Sequence, residues 1–437
     1  MVLLVPLHGI GGRGDLPVPL WLAVYSAAAA VAVSFFALAA FWSKPRFERT
    51  TGTPLRWLTN VVDAQPTRWL LKAIGCTALA LLLGAAWFGS SSPGLNPAPT
   101  WLYVWIWVGI IPLSLVFGPV WRLANPLRTL AGLLPRTTYR DLPTRIAYWP
   151  AVAGLLGFLW LELAYPEGSQ PLVVAIFLTV YATVNVAAGI IYGPRWFATG
   201  DSFEVYAEVL AKLSPLGRDE QHRLVLRNPL AGLATIPQER GMVGLLCLLL
   251  GSTAFDGISR WSAWTNLTGE LGRTAHILVY TLGLLVAVAV VATLFLLAAR
   301  ATGSARIRPG GLGYAGLPGA FVHSLVPIAI GYAVAHYFSF AMFQGQEGLL
   351  LATDPFGRGW DLLGVGDARI DYAFLGTGLI AAVQIGAIVL GHVLGVVSAH
   401  DRATQLFRRR QLRRAQYPML AAMVAFTAGG IALVTAS

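Results

Sequence analysis

Long apolar runs constrain this chain more than any other feature of its sequence. A run of about 17 to 25 apolar residues is needed to cross the hydrocarbon core of a bilayer, and we find about ten candidate runs. The predicted spans lie near residues 20–42, 70–89, 101–120, 147–165, 172–192, 241–255, 276–299, 320–343, 372–399 and 418–434. The chain is therefore expected to form a single all-α polytopic transmembrane domain over residues 1–437. Its composition agrees, since 56% of its residues are hydrophobic and only 12% are charged.

Arginine and lysine concentrate in alternate segments between these runs. The segment 400–414, for example, is rich in arginine and contains Asp401 as its single acidic residue. Because basic residues accumulate in cytoplasmic loops, these segments are predicted to lie inside, with both termini outside and the protein in the plasma membrane. The net charge of +11 is then an orientation signal, and a bilayer rather than nucleic acid is the expected partner. The short run 241–255 has a second interpretation as a re-entrant segment.

Between the fifth and sixth runs, apolar residues recur at helical spacing. Phe203, Tyr206 and Leu210 fall on one face, and Glu204 and Glu208 fall on the other. A helix with one apolar and one charged face is suited to the membrane surface. We therefore predict an amphipathic helix near residues 203–213 that lies in the inner interface.

Histidine and acidic residues cluster towards the predicted outer ends of several spans. Histidine and carboxylate ligands together suit Zn, Mn or Fe, each of which can activate a bound water for hydrolysis. The sequence contains no HExxH spacing, so the ligands would have to come from separate helices. The predicted metal ligands are His336, His276, Asp256 and Asp361, and the candidate catalytic carboxylates are Asp354 and Asp371. The alternative is that these residues lie at an interface and bind nothing.

A second pair of histidines lies deeper in the predicted eighth and ninth spans. Counted by helical rise from Phe343 and Tyr372, His323 and His392 both fall about 30 Å down, so their rings are expected to face each other. Pro327 removes the hydrogen bond to the His323 carbonyl and predicts a helix kink there, with room for a ligand, water or metal. The alternatives are a structural pair of hydrogen-bonded histidines, or axial ligation of a single haem.

Several stretches together resemble a known family. They are HGIGGRGDLPVP, FGPVWRLANPLRTL, GDSFEVYAEVLAKLSPLGR, HSLVPIAIGYAVAHYFS, DPFGRGWDL and GHVLGVVSAHDRA followed by QYPML. These stretches are similar to actinobacterial polytopic membrane proteins known as fenitrothion hydrolases, and the similarity extends over nearly the whole chain. The resemblance implies hydrolysis of an organophosphorus triester, with release of a nitrophenol from a dialkyl thiophosphate.

We therefore expect a membrane-embedded hydrolase of an apolar organophosphorus ester that depends on a divalent metal. Two other classes remain open. One is a non-enzymatic permease, or a membrane anchor that serves a second membrane or extracytoplasmic subunit. The other is a haem- or quinone-linked redox protein that uses His323 and His392.

Overall fold

The computed structural model describes residues 20–47, 52–134, 138–304, 313–408 and 411–435, and these residues are mainly helical. The N-terminal HGIGGRGDLPVP stretch lies outside the described residues. The α-helices, in chain order, are α1 (Leu20–Phe41), α2 (Arg56–Asp63), α3 (Gln65–Phe88), α4 (Pro97–Thr100), α5 (Ile110–Phe117), α6 (Trp121–Ala124), α7 (Pro126–Gly132), α8 (Trp149–Leu163), α9 (Pro171–Tyr192), α10 (Pro194–Thr199), α11 (Ser202–Ala211), α12 (Pro229–Leu233), α13 (Met242–Ser259), α14 (Ser262–Thr268), α15 (Arg273–Ala301), α16 (Leu317–Phe321), α17 (Leu325–Leu351), α18 (Thr377–Leu406) and α19 (Leu412–Thr435).

The remaining regular structure is short. Residues Trp101–Val108 are π-helical, and single 3₁₀ turns occur at Pro93–Leu95, Thr302–Ser304, Tyr314–Gly316 and Val322–Ser324. Strands β1 (Gly52–Pro54), β2 (Leu216–Arg218) and β3 (Leu224–Arg227) form an antiparallel sheet in the order β1-β3-β2. The sequence patterns did not predict this sheet. It is joined to α2 by Asp63, whose carboxylate oxygens each accept a hydrogen bond from Arg218 at 2.8 Å.

In the part of the chain that the structure describes, nine helical stretches are long and apolar enough to cross a membrane. This confirms the prediction of an all-α, multi-pass membrane protein. The predicted fourth span is the exception, because α8 is an apolar helix of only 15 residues. The predicted sixth span is longer than its apolar run, since α13 has 18 residues and continues to Ser259. The orientation with both termini outside stays a prediction.

Helix α17 is the centre of the bundle. In the stretch Leu317–Leu351, 83% of the most apolar window is buried, compared with 17% to 67% in the other eight candidate spans. Its closest neighbour is α18, and glycines bring the two backbones together. A Cβ atom added to Gly391 would lie 2.5 Å from the Pro327 carbonyl oxygen, and one added to Gly331 would lie 2.4 Å from that of Ala387. Small residues permit this approach in a membrane, where helix association depends on close packing.

The helix predicted near residues 203–213 exists as α11, but its predicted position was wrong. Nine of its ten residues are buried, and Glu204 is 0% exposed. The face that was expected to be polar binds other protein groups, because Arg128 and Asn125 donate hydrogen bonds to the Glu204 carboxylate. Tyr206 on the apolar face stacks on Trp107, with ring centroids 4.5 Å apart. The helix therefore lies between other helices and not on the membrane surface.

Candidate functional site

Three ionisable side chains meet where the end of α13 packs against the middle of α17. Asp256 and Arg260 are one helical turn apart, so they share a face of α13, and His336 projects from α17. The Nε2 atom of His336 lies 2.5 Å from Oδ2 of Asp256. Arg260 Nη2 donates to both carboxylate oxygens at 3.0 Å and lies 3.3 Å from Nε2 of His336. We call Asp256, Arg260 and His336 the charged triad.

The triad is largely withdrawn from solvent and lipid. The side chains of Asp256 and His336 are 4% and 3% exposed, and that of Arg260 is 26% exposed. Aromatic rings flank the imidazole of His336, which packs edge-on to Tyr337 with centroids 4.8 Å apart and lies above Tyr332 at 6.4 Å. Charges are costly inside a membrane protein unless they are paired. The fixed charge of Arg260 supplies that pairing for Asp256.

The two contacts of His336 Nε2 require different proton positions. An arginine guanidinium only donates, so its contact with Nε2 is a hydrogen bond only when Nε2 carries no proton. The contact between Nε2 and the Asp256 carboxylate requires one proton between the two atoms, either on the imidazole or on the carboxyl group. The triad therefore accommodates both locations of a single proton without moving a heavy atom. This arrangement suits proton transfer.

Glu162, near the end of α8, adds a second carboxyl group to this region. It interacts electrostatically with Asp256 and Arg260. Its Oε2 atom is buried, and within the described ranges it has no hydrogen-bond partner. Most buried polar atoms in proteins have a partner, so an exception of this kind requires an explanation, such as a role in binding or proton transfer.

The other predicted ligands lie elsewhere. His276 is at the start of α15, where its ring stacks on Tyr280 at a centroid distance of 3.9 Å. Asp361 accepts hydrogen bonds from Thr353 Oγ1 at 2.7 Å and from two backbone N–H groups of its own loop. Over the residues described here, no group of three or more His, Cys, Asp or Glu side chains could hold a metal ion. Of the predicted ligands, Asp256 and His336 are in contact, and Arg260 donates hydrogen bonds to both oxygens of that carboxylate. Metal binding stays a prediction.

The two candidate catalytic carboxylates organise the loop between α17 and α18. Asp354 accepts backbone hydrogen bonds from Arg358 and Gly359, at 2.8 and 2.6 Å. The Arg358 N–H lowers the pKa of Asp354, and the hydroxyl of Thr353 lowers that of Asp361. Asp371 accepts a hydrogen bond from the backbone N–H of Ala373 at 2.8 Å. These contacts give each of the three aspartates a role in the conformation of the loop.

The inner pair of histidines does not form a facing pair. His323 Nε2 contacts the Ser398 carbonyl at 3.2 Å, whereas His392 Nδ1 contacts the Ile388 carbonyl of its own helix at 2.8 Å. Because Ser398 and Ile388 are ten residues apart on α18, the two rings lie at different heights. The expected irregularity at Pro327 is present, since the 3₁₀ turn Val322–Ser324 separates α16 from α17.

A second buried polar cluster was missed by sequence reasoning. Asn125 Nδ2 donates to Asp201 at 2.7 Å and to Glu204 at 2.8 Å, and Arg128 pairs with Glu204. Tyr181 donates to the other oxygen of Asp201 at 2.5 Å. The Asn-Pro-Leu sequence at 125–127 indicates a turn and not a buried polar cluster. Arg260 was also missed, although its spacing of four residues from Asp256 is a usable signal.

Comparisons with known proteins found no relative of this chain. No family model, no curated protein and no solved structure matches this chain. The structure therefore defines the class, a multi-pass helical membrane protein with a buried charged triad, and function has to be argued from that site.

Proposed function

We propose that this membrane protein performs acid–base chemistry and that its Asp256–His336 pair takes up and releases the proton. The observation that carries the proposal is the 2.5 Å contact between Nε2 of His336 and Oδ2 of Asp256 at a site where both side chains are buried. Ionisable residues are rare within membrane spans and commonly mark proton or substrate paths. Arg260 supplies a permanent charge that allows Asp256 to ionise there.

Infrared difference spectroscopy tests the proton-handling step without knowledge of the substrate. Purified protein in detergent is titrated with acid and base, and the C=O stretch of protonated carboxyl groups is recorded. We expect a band from a protonated carboxyl group. Asp256→Asn should remove this band, and His336→Gln should change the pH at which it appears. The exposed control Glu167→Gln should leave that band in place. A band that is unchanged in both triad variants would refute the assignment.

The reaction that we propose to test first is hydrolysis of an apolar phosphotriester. The motif resemblance described above supports this choice, and the His–Asp pair supports a route in which no metal is required. The pair would accept a proton from water as the water oxygen bonds to phosphorus. The bond from phosphorus to the aryl oxygen then breaks, and the proton passes to the departing aryloxide. General acid–base assistance of this kind contributes about 10² to 10⁴-fold in rate.

The hydrolysis assay follows release of nitrophenol from a dialkyl nitrophenyl thiophosphate by purified protein. His336→Ala and Asp256→Asn should each lower kcat by about 10²-fold or more, whereas Glu167→Gln should not change it. Treatment with a chelator should leave the rate unaltered. Full turnover by either triad variant would exclude the pair as the general base.

A proton-coupled permease is the second candidate, and Glu162 favours it. A buried carboxyl oxygen with no partner among the described residues can be loaded with a proton and released. In the same infrared experiment, Glu162→Gln should remove a second carboxyl band. If that band is absent from the unaltered protein, the permease candidate fails and the proposal for the Asp256–His336 pair stands.

A further inference from the structure

A cavity of about 390 Å³ lies within the bundle, and the charged triad does not line it. Residues from α13, α14, α15, α17, α18 and α19 form its wall, and nearly all of them are apolar. Val286 and Val290 on α15 belong to this wall although they are 59% and 52% exposed. The cavity is therefore open between helices on the surface that faces lipid. Its volume falls within the range of small-molecule binding sites, about 300 to 1,000 Å³.

Three residues of the wall carry a buried polar side-chain atom without a hydrogen-bond partner in the part of the chain that the structure describes: His392, Tyr332 and Trp264. His392 is 1% exposed and Tyr332 is 5% exposed, and both residues line the cavity. Neither His392 Nε2 nor Tyr332 Oη has a hydrogen-bond partner within the segments that the structure describes. A buried polar atom without a partner costs about 1 to 3 kcal/mol. A ligand that satisfied both atoms would remove that cost.

The hydrogen bond of Nδ1 of His392 determines whether a ligand must donate or accept a hydrogen bond at Nε2. Nδ1 of His392 lies 2.8 Å from the carbonyl oxygen of Ile388, and a carbonyl only accepts, so Nδ1 carries the proton. A positive ring is disfavoured among apolar side chains, so the imidazole is neutral and Nε2 is an acceptor. The ligand must therefore donate a hydrogen bond to His392. The hydroxyl of Tyr332 can donate or accept.

We propose that the cavity binds a membrane-soluble alcohol or phenol. The ligand hydroxyl donates to Nε2 of His392, Tyr332 Oη provides the second polar contact, and the hydrocarbon part fills the apolar space. Ethers, ketones and esters lack the required donor and bind more weakly. Entry is lateral, through the gap beside Val286 and Val290.

Two probes, one with this donor and one in which a methyl group replaces the donated hydrogen, test the proposal. The melting temperature of full-length protein in detergent is measured with para-heptylphenol and with its methyl ether, para-heptylanisole. A ligand that binds the folded state raises this temperature. The phenol should bind about fivefold tighter than the ether, which corresponds to one ordinary hydrogen bond. In His392→Phe this preference should vanish. Equal stabilisation of the unaltered protein by both probes, or a preserved preference in His392→Phe, would overturn the proposal.

Glycine variants provide a test that does not alter the histidine. A Cβ atom at Gly429 or at Gly386 meets no other atom within 4 Å, so both helical positions accept a side chain, but only Gly429 lines the cavity. Gly429→Leu should reduce stabilisation by the phenol about tenfold or more, and Gly386→Leu should leave it unchanged. Stabilisation that persists in Gly429→Leu would show that the phenol binds elsewhere. Both results are independent of the Asp256–His336 pair.

Discussion

Removal of the Asp256 charge is the most direct test of how the triad is held. In the unaltered protein the Arg260 guanidinium lies 3.0 Å from the Asp256 carboxylate. Asp256→Asn keeps the shape of the side chain but removes this anionic partner. Breaking a buried ion pair by removing one member costs about 3 to 5 kcal/mol. Arg260 is 26% exposed and can recover some solvation, so we expect the lower end, about 3 kcal/mol. This corresponds to about a hundredfold change in the folding equilibrium.

The assay is reversible unfolding in mixed micelles, followed by tryptophan fluorescence as the proportion of denaturing detergent is raised. The matched control is Glu167→Gln, which breaks the pair between Glu167 and Arg273. That pair has comparable geometry, with a contact of 2.7 Å, but its side chains are 36% and 58% exposed. Exposed pairs contribute about 0.2 to 1 kcal/mol. The control should therefore unfold at nearly the same detergent composition as the unaltered protein.

A double variant tests whether the loss comes from the uncompensated arginine. Asp256→Asn combined with Arg260→Gln removes both charges and should recover about 1 to 3 kcal/mol relative to Asp256→Asn alone. If Asp256→Asn is no more destabilising than Glu167→Gln, the argument from burial is wrong. If the double variant recovers nothing, the cost arises from some interaction other than the one with Arg260.

Three further predictions follow from other contacts. Gly391→Ala places a Cβ atom 2.5 Å from the Pro327 carbonyl and should destabilise the protein by about 1 to 3 kcal/mol in the same unfolding assay. Burial raises the pKa of Asp201 from 3.8 to about 6. The stability that this group contributes is therefore present below pH 3.8 and lost as pH rises through 6. In Asp201→Asn the unfolding midpoint should no longer change with pH across that window. The hydrogen bond from Arg218 lowers the pKa of Asp63 from 3.8 to about 2. The stability that Asp63 contributes is therefore present above pH 3.8 and lost as pH falls towards 2. Arg218→Gln should abolish this loss of stability in thermal unfolding measured as a function of pH.

Each of these predictions has its own control. Gly386→Ala adds the same methyl group in open space and should leave the unfolding midpoint unchanged. A pH dependence that survives in Asp201→Asn would assign that window to another group. Arg68 also contacts Asp63, at 2.9 Å, but its side chain is 50% exposed. Arg68→Gln should therefore reduce the acid sensitivity less than Arg218→Gln, and equal effects would contradict the assignment.

The triad was only partly predictable from the sequence. Their predicted position towards the outer ends of their spans grouped His336 with Asp256, and the structure places the two side chains in contact. The predicted outer end of this span, residue 343, was inaccurate, because α17 continues to Leu351 and His336 lies about 22 Å from that end by helical rise. The two residues still meet, since α13 ends at Ser259, well short of the end of α17. Arg260 lies one helical turn beyond Asp256, and only the tertiary structure shows that this side of the helix meets His336.

Two expectations about side-chain contacts were wrong for a common reason. His323 and His392 were expected to face each other because two antiparallel helices put them at similar depth, but each ring instead bonds to a backbone carbonyl. The charged face of α11 was expected to meet water, yet Arg128 and Asn125 cover Glu204. Both outcomes depend on which faces of neighbouring helices meet.

The sequence alone determined the membrane class and the existence of most spans. A chain in a bilayer must satisfy its backbone hydrogen bonds within each span, so a sufficiently long apolar run becomes a helix whatever its neighbours are. Only the tertiary structure decided which side chains meet, because the rotation and tilt of each helix are set by packing against residues far away in the chain. Tertiary packing therefore decided three features of this protein: the Asp256–His336 contact, the burial of α11 and the cavity beside His392.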